Sequence, residues 1–323
     1  MCPPMSRLAP LAFFGLLYVA DSPTKAVNLK ARSGQDPLHV YLANAVALQQ
    51  SLARQQLPFT LLTNSRRALE ALYEGRPDLA RIPMVELALE SPVPKGIPFY
   101  SAHFKIDVYR YFGSLAEGAY VGLLDLDMVA LGDTPPALET LVGQRIPACY
   151  DISDQVLTAF RPSRVREDLS RFTSRAAEGR WVGGECLLGP PAFFAELARK
   201  IDAIFPAYAA CYAELHHQGD EMLVSAALED IRRDGTYVAD LGSLGVVARY
   251  WSVPVSHGQK AFRWYRNAFL LHLPADKGFL ADVAARGPFD SGDFRRRYLM
   301  HRLRNAPINA LKALKLLTKA RVR

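Results

Sequence analysis

The sequence predicts an α/β protein with a mostly parallel central sheet flanked by helices. Three observations predict it. Apolar runs of strand length alternate with stretches of helical periodicity along the whole chain, the pattern that parallel strands with crossover helices produce. The 323 residues are 50% hydrophobic and 22% charged, which suits one large core and argues against a disordered chain. A pair of aspartates closes an apolar run at Leu123-Leu124-Asp125-Leu126-Asp127, and strand ends are where open α/β sheets bind ligands.

The elements follow from these patterns in order. Phe13–Asp21 reads as the first strand, within the apolar run Leu8–Ala20. That run also has the length of a signal-peptide core, which stays open as the alternative. Ser22–Pro37 is polar, with Pro23, Gly34 and Pro37, and reads as a loop. Leu38–Arg54 reads as a helix and Pro58–Asn64 as a strand, with Ser65 capping a helix over Arg66–Tyr73. Ile82–Leu89 reads as a strand, Ser101–Tyr111 as a helix, and Tyr120–Leu131 as one strand running through the acidic pair. Pro136–Val142 reads as a helix, Pro147–Ile152 as a strand, and Arg161–Glu178 as polar and irregular. Trp181–Leu188 is a glycine-containing strand, Pro191–Phe205 and Glu221–Arg233 are helices, and Leu270–Leu273 is a short strand. No internal repeat is present.

The net charge of +7 is unevenly spread. Residues 294–323 carry ten of the 39 Lys/Arg and none of the 32 Asp/Glu, leaving a slightly acidic body. Such a distribution suggests a peripheral contact with an anionic membrane surface rather than a surface for nucleic acid. A solvated basic end without a partner is the plain alternative. Within the tail, Asn305 reads as an N-cap and Pro307 as a first-turn residue. Lys312, Lys315 and Lys319 share one stripe of the helix that follows. Cys2, Cys149, Cys186 and Cys211 show neither metal spacing nor a disulfide framework, which points to a reducing cytoplasm. The expected organisation is a catalytic domain over 1–293, with a nucleotide-binding half at about 8–150 and an acceptor half at about 151–293, then a basic amphipathic tail over 294–323.

Carboxylate oxygens two residues apart are hard ligands suited to Mg²⁺ or Mn²⁺, and burying both is costly unless a cation compensates. Two chemistries use such a pair. A haloacid-dehalogenase-type phosphatase places D-x-D after an apolar strand, but on its first strand and with a glycine following; here the pair lies beyond residue 120 and Met128 follows. The other is sugar transfer from a nucleotide diphosphate. Asp125-Leu126-Asp127-Met128-Val129-Ala130-Leu131-Gly132-Asp133, with Ser101-Ala102-His103-Phe104-Lys105 upstream and Leu271-His272-Leu273-Pro274-Ala275-Asp276-Lys277 downstream, resembles the retaining glycosyltransferase family of glycogenin and the bacterial lipopolysaccharide galactosyltransferases. The three blocks keep the family's order and bracket much of the chain.

The resemblance implies a GT-A (nucleotide-diphospho-sugar transferase) fold. It implies a nucleotide-sugar donor, most simply a UDP-hexose, and a glycan or lipid-linked acceptor; a lipid-linked one would be met at the cytoplasmic face if the basic tail binds the membrane. It implies that Asp125, Asp127 and His272 ligate Mn²⁺ or Mg²⁺. Asp125, Lys105 and Lys277 would contact the donor, and Asp21 at the end of the first strand would face its base. Three departures stand out. Ala275 replaces the glycine of the H-x-x-G-x-K block. Ser22–Pro37 separates the first strand from Tyr41, a candidate for stacking on the base. Val182-Gly183-Gly184-Glu185 stands where the family has Asn-Ala-Gly, which removes an amide and adds a carboxylate. A second acidic block, Gly219-Asp220-Glu221-Met222, resembles the family's D-Q position with Glu in place of Gln; helix capping is its plain alternative. Glu221 is the first candidate to stabilise the anomeric centre, with Glu185 second and Asp220 beside them. A catalytically silent sugar-nucleotide or membrane-binding module on the same scaffold is the remaining non-enzyme reading.

Overall fold

The computed structural model describes residues 10–20 and 36–321, with the backbone alone given for Thr158 and from Leu311 onward. In chain order the elements are β1 (Leu11–Leu17), α1 (Pro37–Ala53), β2 (Phe59–Thr63), α2 (Arg66–Glu74) and β3 (Met84–Glu86). A 3-10 turn, Tyr100–Phe104, leads into α3 (Lys105–Gly113), followed by β4 (Tyr120–Leu124), β5 (Met128–Ala130), α4 (Pro136–Gln144) and β6 (Ala148–Asp151). Next come α5 (Ser153–Phe160), α6 (Pro162–Ser170), β7 (Val182–Gly189), α7 (Pro191–Cys211) and α8 (Asp220–Arg233). The chain continues through β8 (Ala239–Asp240), β9 (Val247–Arg249), β10 (Leu270–His272), α9 (Lys277–Ala284) and α10 (Ser291–Arg321).

Seven strands form the central sheet in the order β3-β2-β1-β4-β7-β6-β8. β1 pairs in parallel with β2 and β4, and β2 with β3. β7 runs antiparallel to both its neighbours, and β8 again pairs in parallel with β6. All of β4 and all of β7 are buried, which is why both read as continuous apolar runs instead of alternating ones. Helix α1 starts where expected because Asp36 accepts the Leu38 N–H at 3.0 Å, and Ser65 does the same for Ala68 at the start of α2.

The one strand expected over Tyr120–Leu131 is two. β4 ends at Leu124 in the large sheet, the chain turns through Asp125–Asp127, and β5 joins a separate three-stranded sheet, β5-β10-β9. Apolar residues flank the break on both sides because both strands are buried, so the sequence pattern reads as one strand carrying the acidic pair. Along β5 and the residue after it, Met128 and Ala130 face the main core, while Val129 and Leu131 face a second one, the two-residue alternation of a strand buried on both faces. Buried Ser51 of α1 accepts the Ala130 N–H at 2.9 Å and fixes β5 to the first helix.

The irregular reading of Arg161–Glu178 is corrected over Pro162–Ser170 by α6, while 171–178 carries no helix or strand. Its polarity comes from an ion cluster: fully buried Asp168 takes Arg164 at 3.0 Å and both the backbone N and the Nδ1 of His216 at 2.7 Å. Helix α7 runs past the expected stop at Phe205, with Pro206 inside it, because Tyr208 in the next turn is fully buried. The last helix begins at Ser291, not at Asn305, and Pro307 lies within it. Phe294 and Tyr298 are buried in the second core with Leu271, Leu273 and Leu280. Tyr298 Oη donates to Asp276 at 2.7 Å, and Asn309 donates to the Ser252 carbonyl at 2.7 Å. The side chains of Lys312, Lys315 and Lys319 lie outside the described residues. No described helix is long and apolar enough to cross a membrane.

Docking of α10 gives a stability prediction. Phe294 is 2% exposed and Leu303, on the same helix, 58% exposed. Phe294→Ala is expected to cost about 3–5 kcal/mol and Leu303→Ala under about 0.5 kcal/mol in urea unfolding. Equal small effects would mean that α10 contributes nothing to the core.

Candidate metal and donor site

The site lies where the large sheet gives way to the small one. β4 delivers Asp125 at its C-terminal end, the turn delivers Asp127, and β10 brings His272 alongside through its antiparallel pairing with β5, His272 opposite Met128. One ligand atom from each of Asp125, Asp127 and His272 lies within 4.8 Å of the others. His272 Nε2 is 3.2 Å from Asp127 Oδ1 and 3.9 Å from Asp125 Oδ2. Two carboxylates and an imidazole are a donor set for a divalent cation, so the residues fit a metal at the place expected from the sequence.

Two lysines flank the acids. Lys105, at the first turn of α3, reaches Asp125 Oδ1 at 2.8 Å, Asp220 Oδ2 at 3.3 Å and the Gly184 carbonyl at 2.8 Å. Lys277, at the start of α9, reaches Asp127 Oδ2 at 2.5 Å and the Pro274 carbonyl at 2.9 Å. Its Nζ also stands 5.9 Å from the centre of the Tyr41 ring, so Tyr41 borders this corner. Glycine at 184 is a packing requirement: a Cβ there would come within 2.7 Å of Asp220 Oδ2 and 3.1 Å of Lys105 Nζ.

These contacts set the charges. Burial pushes the Asp127 carboxyl up, but Lys277 and His272 outweigh it and hold the group far below the usual carboxylate range. Burial raises Asp125, and Lys105 only partly offsets that because Asp127 adds to it. Burial works against a charge on His272 and is overcome by Asp127 and Glu185, which raise the imidazole to about 9. Burial likewise opposes the charges on Lys105 and Lys277, and their aspartate partners override it and raise both.

The second acidic block splits in two. Asp220 opens α8 and is buried against Lys105. Glu221 points elsewhere: its carboxylate accepts the Trp181 indole N–H at 2.9 Å and the Gly184 N–H at 3.4 Å, with His217 Nε2 at 3.7 Å. Glu185 is not at the cleft. It is 1% exposed in the middle of β7, its Oε1 is 3.3 Å from His272 Nδ1, and Arg249 approaches the same oxygen at 3.6 Å. The structure therefore links Asp125, Asp127, His272, Lys105, Lys277, Asp220 and Glu185 in one network of contacts, with Glu221 bordering it through the Gly184 N–H, while Asp21 lies outside the described residues. The sequence reading missed Arg249 and Trp181. An arginine between Ala248 and Tyr250 in an apolar strand was the available signal for the first.

A solved structure of an active-site mutant of LgtC aligns with a TM-score of 0.51 at 14% identity, over 84% of this chain and 95% of that one. The chain has the GT-A fold. The GT-A assignment fits a D-x-D after the fourth strand in chain order, and the phosphatase arrangement, with its pair on the first strand, drops out. The apo bifunctional glycosyltransferase WbbM aligns at TM-score 0.49 and 12% identity, over 88% of this chain and 51% of that one. Mouse xyloside xylosyltransferase 1 aligns at 0.44 and 12%, over 81% and 97%. No protein-family model and no curated protein matches the chain.

The GT-A site should titrate in a defined direction. In the ion-free protein His272 is raised to about 9, above the unfolded value of about 6.5. Its stabilising charge is thus fully present below about pH 6.5 and lost as pH rises through about 9. A metal needs the neutral ring, so Mn²⁺ uptake near pH 7.5 is expected to release about one proton. Calorimetry in buffers of different ionisation enthalpy measures this, and a buffer-independent heat would contradict it.

Proposed function

We propose that this chain is a metal-dependent glycosyltransferase that moves a hexose from a nucleotide diphosphate sugar, UDP-linked in the simplest case, to a hydroxyl of a glycan or lipid-linked acceptor with retention at the anomeric carbon. The observation that carries the proposal is the convergence of Asp125, Asp127 and His272 at a strand's C-terminal edge in a GT-A fold. LgtC is a galactosyltransferase solved with donor and acceptor sugar analogues; at this identity it lends the fold, and the chemistry rests on the residues.

Transfer breaks the bond between the anomeric carbon and the diphosphate oxygen, the nucleoside diphosphate leaves with the electron pair, and the acceptor hydroxyl oxygen forms the new bond to that carbon as its proton passes to the departing diphosphate. Mn²⁺ or Mg²⁺ held by Asp125, Asp127 and His272 would supply Lewis-acid neutralisation of that charge. Lys277 and Lys105 add fixed cations at the same corner, with Asp220 holding Lys105 in place. The sugar carbon becomes electron-poor and needs a carboxylate. Exposure ranks the candidates: the side chains of Glu185, Asp127 and Asp220 are 1%, 6% and 7% exposed, against 20% for Glu221 and 30% for Asp125. Asp125 belongs to the metal group, which leaves Glu221 for the anomeric centre. Trp181 and the Gly184 N–H hold its carboxylate in one orientation before substrate arrives. In this reading residues up to about 150 carry the donor side and the following half, with Glu221, meets the acceptor.

Product analysis with a panel of nucleotide sugars and Mn²⁺ tests the activity directly. Hydrolysis or transfer with none of them would favour a silent binding module. Asp127→Asn is expected to abolish metal-dependent nucleotide diphosphate binding while the protein stays folded. Donor affinity unaffected by a chelator in the wild type would defeat the metal role. Glu221→Gln is expected to lower kcat about 10²–10³-fold with donor affinity nearly unchanged. Full activity in that variant would remove Glu221 from the anomeric centre.

A further inference from the structure

Resting on the metal reading above, we infer that Glu185 is a positioning residue for the cation: it locks the His272 ring so that Nε2 faces Asp125 and Asp127. A neutral imidazole donates through one nitrogen and accepts or ligates through the other. Glu185 Oε1 lies 3.3 Å from Nδ1, while Nε2 lies 3.2 Å from Asp127 Oδ1. The carboxylate thus takes the Nδ1–H, and once the ring gives up its second proton the Nε2 lone pair is the one that faces the two aspartates, where a cation would be held. Outer carboxylates of this kind fix the ring and raise its basicity as a ligand.

The surroundings are built for that task. Glu185 is fully enclosed between Gly184 and Cys186 in a strand whose residues are all buried, a position where a carboxylate is expensive unless it is paired. Arg249 offsets its charge and is itself fixed: its Nε donates to Gln155 Oε1 at 3.3 Å, and its backbone N–H donates to the Tyr150 hydroxyl at 3.1 Å. Gln155 donates to the same hydroxyl at 2.8 Å. Gly183 leaves the space that the carboxylate fills, since a Cβ there would sit 1.9 Å from Glu185 Oε2. The backbone of Glu185 also takes part, its carbonyl accepting the Asp125 N–H at 3.0 Å. One residue on β7 therefore holds a ligand from each sheet. The Gly-Gly-Glu block is the device that makes this possible.

The test is Mn²⁺ affinity of the full chain, with Mn²⁺ alone as the probe, by calorimetry or electron paramagnetic resonance. Glu185→Ala is expected to weaken binding about 10–100-fold. Glu185→Gln, whose amide oxygen still accepts from Nδ1, is expected to recover most of that loss. In a His272→Ala background no ring remains to be oriented, so Glu185→Ala should change affinity less than about twofold. A loss of the same size in both backgrounds would assign the effect to the Asp125 backbone or to general packing and overturn the inference. Unchanged affinity in Glu185→Ala would overturn it too. If that variant does not fold, Gly183→Ala serves in its place, because it keeps Glu185 but drives the carboxylate off the ring; unchanged affinity there is equally fatal. Wild-type protein that takes up no Mn²⁺ would sink the metal reading and this inference together. A wild type that binds while the variants bind as well would sink this inference alone.

Discussion

The turn Asp125-Leu126-Asp127 puts two carboxylates where the chain has largely withdrawn them from water, and the neighbouring elements are arranged around that charge. Removing one partner from a buried ion pair costs about 3–5 kcal/mol, so each acid has to be met by a group delivered from elsewhere. Lys105 arrives from the start of α3, Lys277 from the start of α9, and His272 from β10. The counter-charges then need partners of their own. Asp220 takes up Lys105, and Glu185 takes up His272 with Arg249 behind it. Charge alternates outward through three or four layers, each on a different element. The helix starts and strand ends of the second half of the chain are positioned by this sequence of partners as much as by apolar packing.

Much of this could be read before the fold was known. The acidic pair announces itself because its two members are neighbours in sequence and follow an apolar run. His272 and Lys277 stand out because they too share one short segment, as do Asp220 and Glu221. The strands of the parallel half were legible for the same local reason: β2 and its capped helix α2 match their expected bounds to within a residue or so.

What stayed hidden depends on distance along the chain. Nothing within a few residues of Glu185 indicates that its carboxylate meets a histidine 87 positions later, so it and the partly exposed Glu221 looked alike. The role of Arg249 is settled by Glu185, Gln155 and Tyr150, all more than sixty positions away. The break between β4 and β5 was hidden because both strands are buried on two faces and the apolar run resumes directly after the acidic pair. Helix α6 was disguised by charge, since its buried Asp168 is met by Arg164 one turn back and by His216, 48 positions on, which only the folded chain brings near.

The division into two sheets has a mechanical consequence. The large sheet contributes Asp125 through β4, the small one contributes His272 through β10, and among the described residues the turn between β4 and β5 is the covalent bridge at that corner. On one face β5, β9 and β10 rest on a second core with α9 and α10, while Met128, Ala130, Val247 and Leu270 on the other join the main core, so the small sheet can open only by peeling that shared face away. A cation gripped by all three ligands is a rivet through both units. It would couple their opening, so that amides of the small sheet exchange only with those of the large one, and the free energy of ion binding would be stored in the seam between them.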